Sequence, residues 1–137
     1  MSRRECVKRI GILNQPISSV IAGLGHTDTL VVADAGLPIP QETQRIDLAL
    51  VEGIPGFLDT LRAVLMEMEV ERAVVAEEML EKSPGVHEAI KKLLGDVPIE
   101  AVPHSALKER TRSARAVIRT GEFTPYANII LVAGVVF

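Results

Sequence analysis

Three short apolar segments constrain the fold of this chain more than any other feature of its sequence. They occupy residues 30–33 (LVVA), 73–76 (AVVA) and 127–136 (ANIILVAGVV). An apolar run of about four to eight residues, rich in β-branched side chains, is typical of a strand that is covered on both faces. The chain therefore needs further layers of structure on both sides of a sheet.

The segments between these strands carry the signals of helices. Residues 16–24 place a proline in the first turn, and we expect Gly25 to end this helix as a left-handed cap. Apolar spacing and capping residues predict three further helices, over residues 56–68, from Ser83 to Gly95, and from Ser105 onward.

Weaker strand signals complete the pattern at residues 45–50, 98–102 and 116–120. Helices that alternate with apolar strands predict an α/β fold, with a mixed central sheet and helices on both faces. The length of 137 residues fits a single domain over residues 1–137, because domains commonly span about 100–150 residues.

Composition argues against several classes of partner. The net charge is -3, and no cluster of lysine and arginine is interleaved with aromatic residues, so we expect no nucleic-acid partner. The longest apolar run, IILVAGVVF, is far shorter than the roughly 20 residues of a membrane-spanning helix. The single cysteine, Cys6, cannot form an internal disulfide, and we expect a cytoplasmic protein with no membrane partner.

The apolar segment near the C-terminus also bears on assembly. A strand this apolar needs cover, either at the centre of the sheet or against another subunit, because an exposed apolar edge promotes aggregation. We interpret the segment as favouring a homo-oligomer.

His26 lies between a predicted helix and the strand at residues 30–33. Carbonyl dipoles at a helix C-terminus favour the imidazolium form, and Asp28 or Asp34 could orient the ring. A histidine that titrates near neutral pH can donate and accept protons, so His26 is a candidate catalytic residue. The alternative is a turn histidine that caps backbone carbonyls.

Other polar residues lie at the ends of predicted strands. Asp34 follows a buried strand, where ligands dock in α/β sheets, although an Asx turn would explain it equally well. His104 lies at a strand-to-helix junction. Tyr126 and Asn128 precede the apolar C-terminal run, and their hydroxyl and amide groups suit a polyhydroxylated ligand better than an anion. The histidines and Cys6 lack metal-ligand spacing, and no dinucleotide, Walker or nucleophile-elbow motif is present.

Four segments of the sequence resemble the D-ribose pyranase family in their order and spacing, across nearly the whole chain. The family also contains L-fucose mutarotases, and the DAGLPIP and TGEFTPYANIIL stretches here are similar to its ribose branch. The four segments are GHTDTLVVADAGLPIP at 25–40, RIDLAL at 45–50, AVVAEEM at 73–79 and AVIRTGEFTPYANIILVAGVVF at 116–137.

The resemblance implies an isomerase that interconverts the pyranose and furanose forms of D-ribose without a cofactor or metal. It also implies a three-layer α/β/α subunit and a homodecamer of two stacked pentameric rings. By motif match, His26 is the catalytic proton donor, and the site lies at a subunit contact, so that His26 can serve a neighbour's pocket. The implied sugar-binding residues are Asp34, His104, Tyr126, Ala127 and Asn128, with Lys108 as a further possible contact.

The side chains agree with this chemistry. Ring interconversion opens a cyclic hemiacetal and recloses it through another hydroxyl, which requires an acid for the ring oxygen and a base for the anomeric hydroxyl. His26 suits the first role, while His104 and Asp34 are both candidates for the second. The alternative functions are a mutarotase for fucose or another aldose, and a non-catalytic ribose-binding accessory protein.

Overall fold

The computed structural model describes residues 7–137, which form a six-stranded sheet with helices on both faces. The strands are β1 (Thr29–Ala33), β2 (Gln44–Asp47), β3 (Val70–Ala76), β4 (Ile99–Val102), β5 (Ala116–Arg119) and β6 (Ile129–Ala133). They are ordered β2-β5-β1-β6-β3-β4 across the sheet. Strand β6 is antiparallel to β1 and β3, and the other pairs are parallel. The predicted mixed sheet is therefore confirmed.

Helices cover the sheet in two layers because successive side chains of each strand point to opposite faces. The helices are α1 (Gln15–Gly23), α2 (Phe57–Leu65), α3 (Glu77–Lys82), α4 (Pro84–Leu94) and α5 (His104–Arg110). Leu30 and Val32 of β1 belong to a core that includes residues of α1, α2, α3 and α4. Val31 and Ala33 belong to a second core, together with Leu107 of α5. This is the expected α/β/α arrangement.

The end of α1 differs from the prediction. Leu24, in an extended conformation, follows the helix as its cap, and Gly25 does not adopt the left-handed conformation. The Gly25 N–H instead donates a hydrogen bond to Asp28 Oδ2 at 2.7 Å. The left-handed residue of this turn is Thr27, with φ at 72°. A side chain, rather than a glycine cap, therefore closes the turn.

Three other boundaries also differ. Ser105 lies inside α5, which begins one residue earlier, after Pro103. Helix α3 occupies a stretch whose first residues, Glu77 and Glu78, the sequence pattern indicates only as a charged exit from a strand. Strand β2 is shorter than the predicted span of residues 45–50, because the chain leaves the sheet after pairing with β5.

The apolar C-terminal segment takes the central position that its composition allows. Strand β6 lies between β1 and β3, and Ile129 and Leu131 are fully buried. The cover that this strand needs is therefore supplied within the subunit, and its apolar character alone does not require a second chain.

Two predictions reach beyond the described residues. Cys6 lies outside them, and a single domain over residues 1–137 stays a prediction. Within residues 7–137, no helix is both long enough and apolar enough to cross a membrane.

Candidate active site

Polar residues from distant parts of the sequence meet at one edge of the sheet. The C-terminal ends of β1 and β4 lie at the same edge as the N-terminal end of the antiparallel strand β6. Asp34 directly follows β1, His104 follows β4 after one proline, and Asn128 directly precedes β6. These three residues and Tyr126 line one cavity of about 260 Å³. The topology thus brings together four of the five residues that the family resemblance implies to bind a sugar, all except Ala127.

Asp34 and Asn128 hold each other through two hydrogen bonds. The Asp34 N–H donates to Asn128 Oδ1 at 2.8 Å, and Asn128 Nδ2 donates to Asp34 Oδ2 at 3.1 Å. The Gly36 N–H donates to Asp34 Oδ1 at 3.0 Å. Asp34 therefore forms the Asx turn that was its alternative interpretation, and it lines the cavity as well.

Burial shifts the titration of two side chains in this cavity in opposite directions. Burial raises the pKa of Asp34 above its usual range, and hydrogen bonds from Gly36 and Asn128 only partly oppose it. Burial lowers the pKa of His104, and the nearby Lys108 ammonium lowers it further. At neutral pH the His104 imidazole is therefore mainly uncharged and able to accept a proton, as acid–base chemistry requires.

His104 is fixed at both its backbone and its ring. It is the first residue of α5, and its N–H donates to Glu78 Oε1 at 2.9 Å. Its ring meets the Tyr126 ring edge to face, with the centroids 5.0 Å apart. The Nδ1 atom is buried and has no hydrogen-bond partner among residues 7–137.

The segment around Tyr126 is held in an uncommon backbone conformation. Tyr126 has φ at 61°, a left-handed conformation that bulky residues seldom adopt. The Asn128 N–H donates to the Tyr126 carbonyl at 2.9 Å, and the Ser83 hydroxyl donates to the Pro125 carbonyl at 2.6 Å. Ala127 is fully buried in the core and does not line this cavity, so its contact with a sugar stays a prediction.

A second hollow adjoins the first at Asp34. It measures about 400 Å³ and shares Asp34 and Gly36 with the first cavity. Its other lining residues are Ala35, Arg119, Glu122 and Phe123. Arg119 Nε donates to the Ala35 carbonyl at 3.0 Å, which holds the loop after Asp34 in place.

A further hollow of about 290 Å³ between α1 and α2 has a different character. Aliphatic side chains dominate its lining, and Asp59 is the titratable residue there. Acid–base chemistry is better served at the Asp34 edge, where carboxyl and imidazole groups face one cavity.

His26 lies away from this cavity within the subunit. It precedes β1 while Asp34 follows it, so the five residues of the strand, about 16 Å at 3.3 Å each, separate the two ends. The His26 side chain is 54% exposed, and its Nε2 lies 2.7 Å from Glu71 Oε1. Glu71 therefore orients the ring, and the expectation that Asp28 or Asp34 does so is wrong. Asp28 instead accepts a hydrogen bond from Arg115.

Lys108 lies one helical turn after His104 on α5. It lines a neighbouring hollow with Ser105 and Arg112, rather than the cavity that His104 lines. The positive charge of Lys108 nevertheless affects the site, because it contributes to the lowered pKa of His104. The contact between Lys108 and a sugar stays a prediction.

Two residues that contact the site are not indicated by the sequence pattern. Glu78 accepts the backbone hydrogen bond of His104, and Ser83 holds the carbonyl that precedes Tyr126. For Glu78 the sequence pattern is misleading, because Ser105 predicts a capped helix start and conceals the missing cap after Pro103. For Ser83 the local pattern indicates a helix cap, and the long-range contact leaves no local trace.

Comparisons with known proteins agree with this fold and geometry. The model of the RbsD / FucU transport protein family matches residues 7–136. The chain is 57% identical over 131 residues to the D-ribose pyranase of Geobacillus thermodenitrificans (strain NG80-2). This match covers 96% of this chain and 99% of that protein. It is 56% identical over 131 residues to the D-ribose pyranase of Laribacter hongkongensis (strain HLHK9), and this match covers 96% of this chain and 100% of that protein.

Solved structures show the same architecture. Bacillus subtilis RbsD complexed with D-ribose superposes with a TM-score of 0.92 at 46% identity, covering 95% of this chain and 99% of that one. The fucose mutarotase from Streptococcus pneumoniae in complex with L-fucose gives a TM-score of 0.79 at 24% identity, covering 90% of this chain and 94% of that one. At this identity the comparison supports a common fold only. The chain belongs to the RbsD / FucU family. Within that family, the relatives compared above at more than 50% identity are both named D-ribose pyranase.

Proposed function

We propose that this protein is a D-ribose pyranase, a cofactor-independent isomerase that interconverts the β-pyranose and β-furanose forms of D-ribose. The observation that carries the proposal is the 57% identity over 131 residues to a protein named D-ribose pyranase. The cavity supports it, because carboxyl, amide, imidazole and phenol groups around about 260 Å³ suit a small polyhydroxylated ligand.

The reaction needs two proton transfers at the sugar ring. One group protonates the ring oxygen as the hemiacetal opens, and another removes the proton of the anomeric hydroxyl. We assign the second role to His104, because its ring lines the cavity and is mainly uncharged at neutral pH. Asp34 is less suited to it, since both carboxylate oxygens already accept hydrogen bonds, from Gly36 and Asn128. Asp34 and Asn128 would instead hold sugar hydroxyls.

The first role falls to His26, contributed by a neighbouring subunit. His26 and Asp34 lie beyond opposite ends of β1, so one chain alone does not place both groups on one sugar. Exposed apolar side chains of Val51, Ile54 and Phe123 suit a subunit contact close to the cavity, since Phe123 lines the adjoining hollow. This arrangement supports a homo-oligomer. We further propose that the oligomer is a decamer of two pentameric rings and that the protein is cytoplasmic.

The test is saturation-transfer proton NMR on D-ribose at equilibrium, which resolves the anomeric protons of the pyranose and furanose forms. We expect the wild type to transfer saturation between the ring forms. His26→Ala should slow the transfer by about 10²–10⁴-fold, the usual contribution of general acid–base catalysis. His87→Ala, which alters a histidine on α4, is the matched control and should behave as the wild type.

Two outcomes would contradict the proposal. Ribose resonances that broaden in the presence of protein without faster exchange would mean a ribose-binding accessory protein. Faster exchange with L-fucose or another aldose, but not with D-ribose, would mean a different mutarotase.

A further inference from the structure

Helix α3, which the sequence pattern does not indicate, and the serine that follows it each hydrogen-bond to the backbone at or beside a ring that lines the cavity. Glu78, in its first turn, accepts the backbone hydrogen bond of His104 at 2.9 Å. Ser83, directly after its last residue, donates to the carbonyl of Pro125 at 2.6 Å, one residue before Tyr126. We infer that Glu78 and Ser83 are positioning residues that set the His104–Tyr126 ring pair for sugar binding, an inference that rests on the proposed function.

The element that carries both contacts is itself firmly anchored. Helix α3 begins directly after the buried strand β3, and Met79 on it is fully buried in the core. The Ser83 N–H donates to the Met79 carbonyl at 2.9 Å, and the Ser83 side chain is almost fully buried. A group held in this way can fix the position of what it bonds, because it has little freedom to follow a moving partner.

The His104 side of the contact depends on Glu78 because the local chain offers no substitute. The residue before α5 is Pro103, which has no side-chain hydrogen-bonding group, and no side-chain cap is made there. Without the Glu78 carboxylate, the His104 N–H would lose its acceptor at a half-buried helix end. The first turn of α5 would then loosen, and the His104 ring would move with it.

The Tyr126 side depends on Ser83 for a different reason. The left-handed backbone of Tyr126 is disfavoured for a bulky residue, so surrounding contacts must maintain it. The bond from Ser83 fixes the peptide group that precedes Tyr126. Since the two rings touch edge to face, a shift at either one changes the shape of the same cavity wall.

The test uses alanine variants with matched controls, and it measures KM and kcat for ribose interconversion. Glu78→Ala and Ser83→Ala should each raise KM about fivefold, the effect of one lost hydrogen bond. Glu78→Ala should also lower kcat, because it displaces the proposed base His104, whereas Ser83→Ala should leave kcat within about twofold. Glu77→Ala alters an exposed neighbour, and Ser113→Ala removes a hydroxyl that bonds the Arg110 carbonyl far from the cavity; both should match the wild type. Glu78→Gln retains an acceptor oxygen and should stay within about twofold of the wild-type KM.

Fluorescence gives a second readout that does not depend on activity. The chain has one tyrosine and no tryptophan, so its intrinsic emission reports on Tyr126 alone. The two alanine variants should change this emission, and the controls and Glu78→Gln should not. Unchanged KM and emission in folded Glu78→Ala and Ser83→Ala proteins would overturn the inference, as would equal losses in Glu78→Gln and Glu78→Ala. An inactive wild type would overturn the proposed function, while the emission comparison would still test the positioning.

Discussion

At the scale of single residues, the site is built from side chains whose ordinary chemistry is altered by burial. Asp34 and Asn128 form a closed pair, so each restricts the orientation of the other. These residues were predictable from the sequence, because polar groups directly beside buried strands of an α/β sheet are ligand candidates. The contact between His26 and Glu71 was not predictable, because two residues that are 45 positions apart leave no local pattern.

The lowered pKa of His104 makes a prediction about stability. A histidine whose folded-state pKa lies below its unfolded value of about 6.5 stabilises the fold above pH 6.5. That contribution is lost as the pH falls through the folded-state pKa, because the unfolded chain then binds the extra proton. The unfolding temperature of the wild type should therefore fall between pH 7 and pH 5, and that of His104→Gln should fall less.

Thermal unfolding followed by circular dichroism at several pH values measures this difference. His87→Gln is the control and should follow the wild-type curve. Parallel curves for the wild type and His104→Gln would show that burial of His104 does not govern the acid sensitivity.

At the scale of elements, what could be predicted depended on how far the deciding contacts reach. The strands were predictable because their β-branched and aliphatic side chains are buried on both faces, as in β1 and β6. Helix α3 was not, since its six residues, EEMLEK, are too few to show a helical period. The predicted caps of α1 and α5 were wrong because carboxylates outside the two helices decide these ends. Asp28 accepts the N–H of Gly25, and Glu78 accepts the N–H of His104.

The close packing of Gly121 against the loop between β2 and α2 leads to a prediction about stability. A Cβ atom added at Gly121 would lie 2.6 Å from the Val51 carbonyl oxygen, and 2.7 and 2.8 Å from the Ile54 oxygen and nitrogen. These are backbone atoms and cannot rotate away. Gly121→Ala should therefore lower the free energy of unfolding by about 3 kcal/mol, the upper part of the range for overpacking.

Urea denaturation of Gly121→Ala and of Gly85→Ala provides the comparison. A Cβ at Gly85, within α4, meets nothing within 4 Å, so this variant should equal or exceed the wild type by up to about 1 kcal/mol. Equal midpoints for the two variants would mean that the loop moves freely away from Gly121.

At the scale of the whole molecule, the separation of His26 from Asn128 connects the proposed mechanism to assembly, because the proposed site then needs two subunits. If the proposed site is shared between subunits, His26→Ala and Asn128→Ala proteins are each inactive for different reasons. Mixed oligomers of the two should recover activity, because about a quarter of the shared sites would combine an intact His26 with an intact Asn128.

The experiment is refolding of the two variants together, followed by the NMR exchange assay and light scattering. A decamer would have about ten times the subunit mass of 14.8 kDa. A mixture that stays as inactive as its components, in oligomers of the wild-type size, would contradict a site shared between subunits.

The central position of β6 also has a consequence for how the protein is made. Leu30 of β1 pairs with Leu131, and Ala73 of β3 pairs with the same residue, so the sheet is joined by contacts between distant parts of the chain. Such long-range pairing slows folding, because the chain must lose much of its freedom before the contacts form. During synthesis on the ribosome, the two halves of the sheet, β2-β5-β1 and β3-β4, cannot be joined until residues 129–133 have been made. Asn128 reaches Asp34 at that same step, so the Asp34–Asn128 pair of the proposed site cannot form in an incomplete chain.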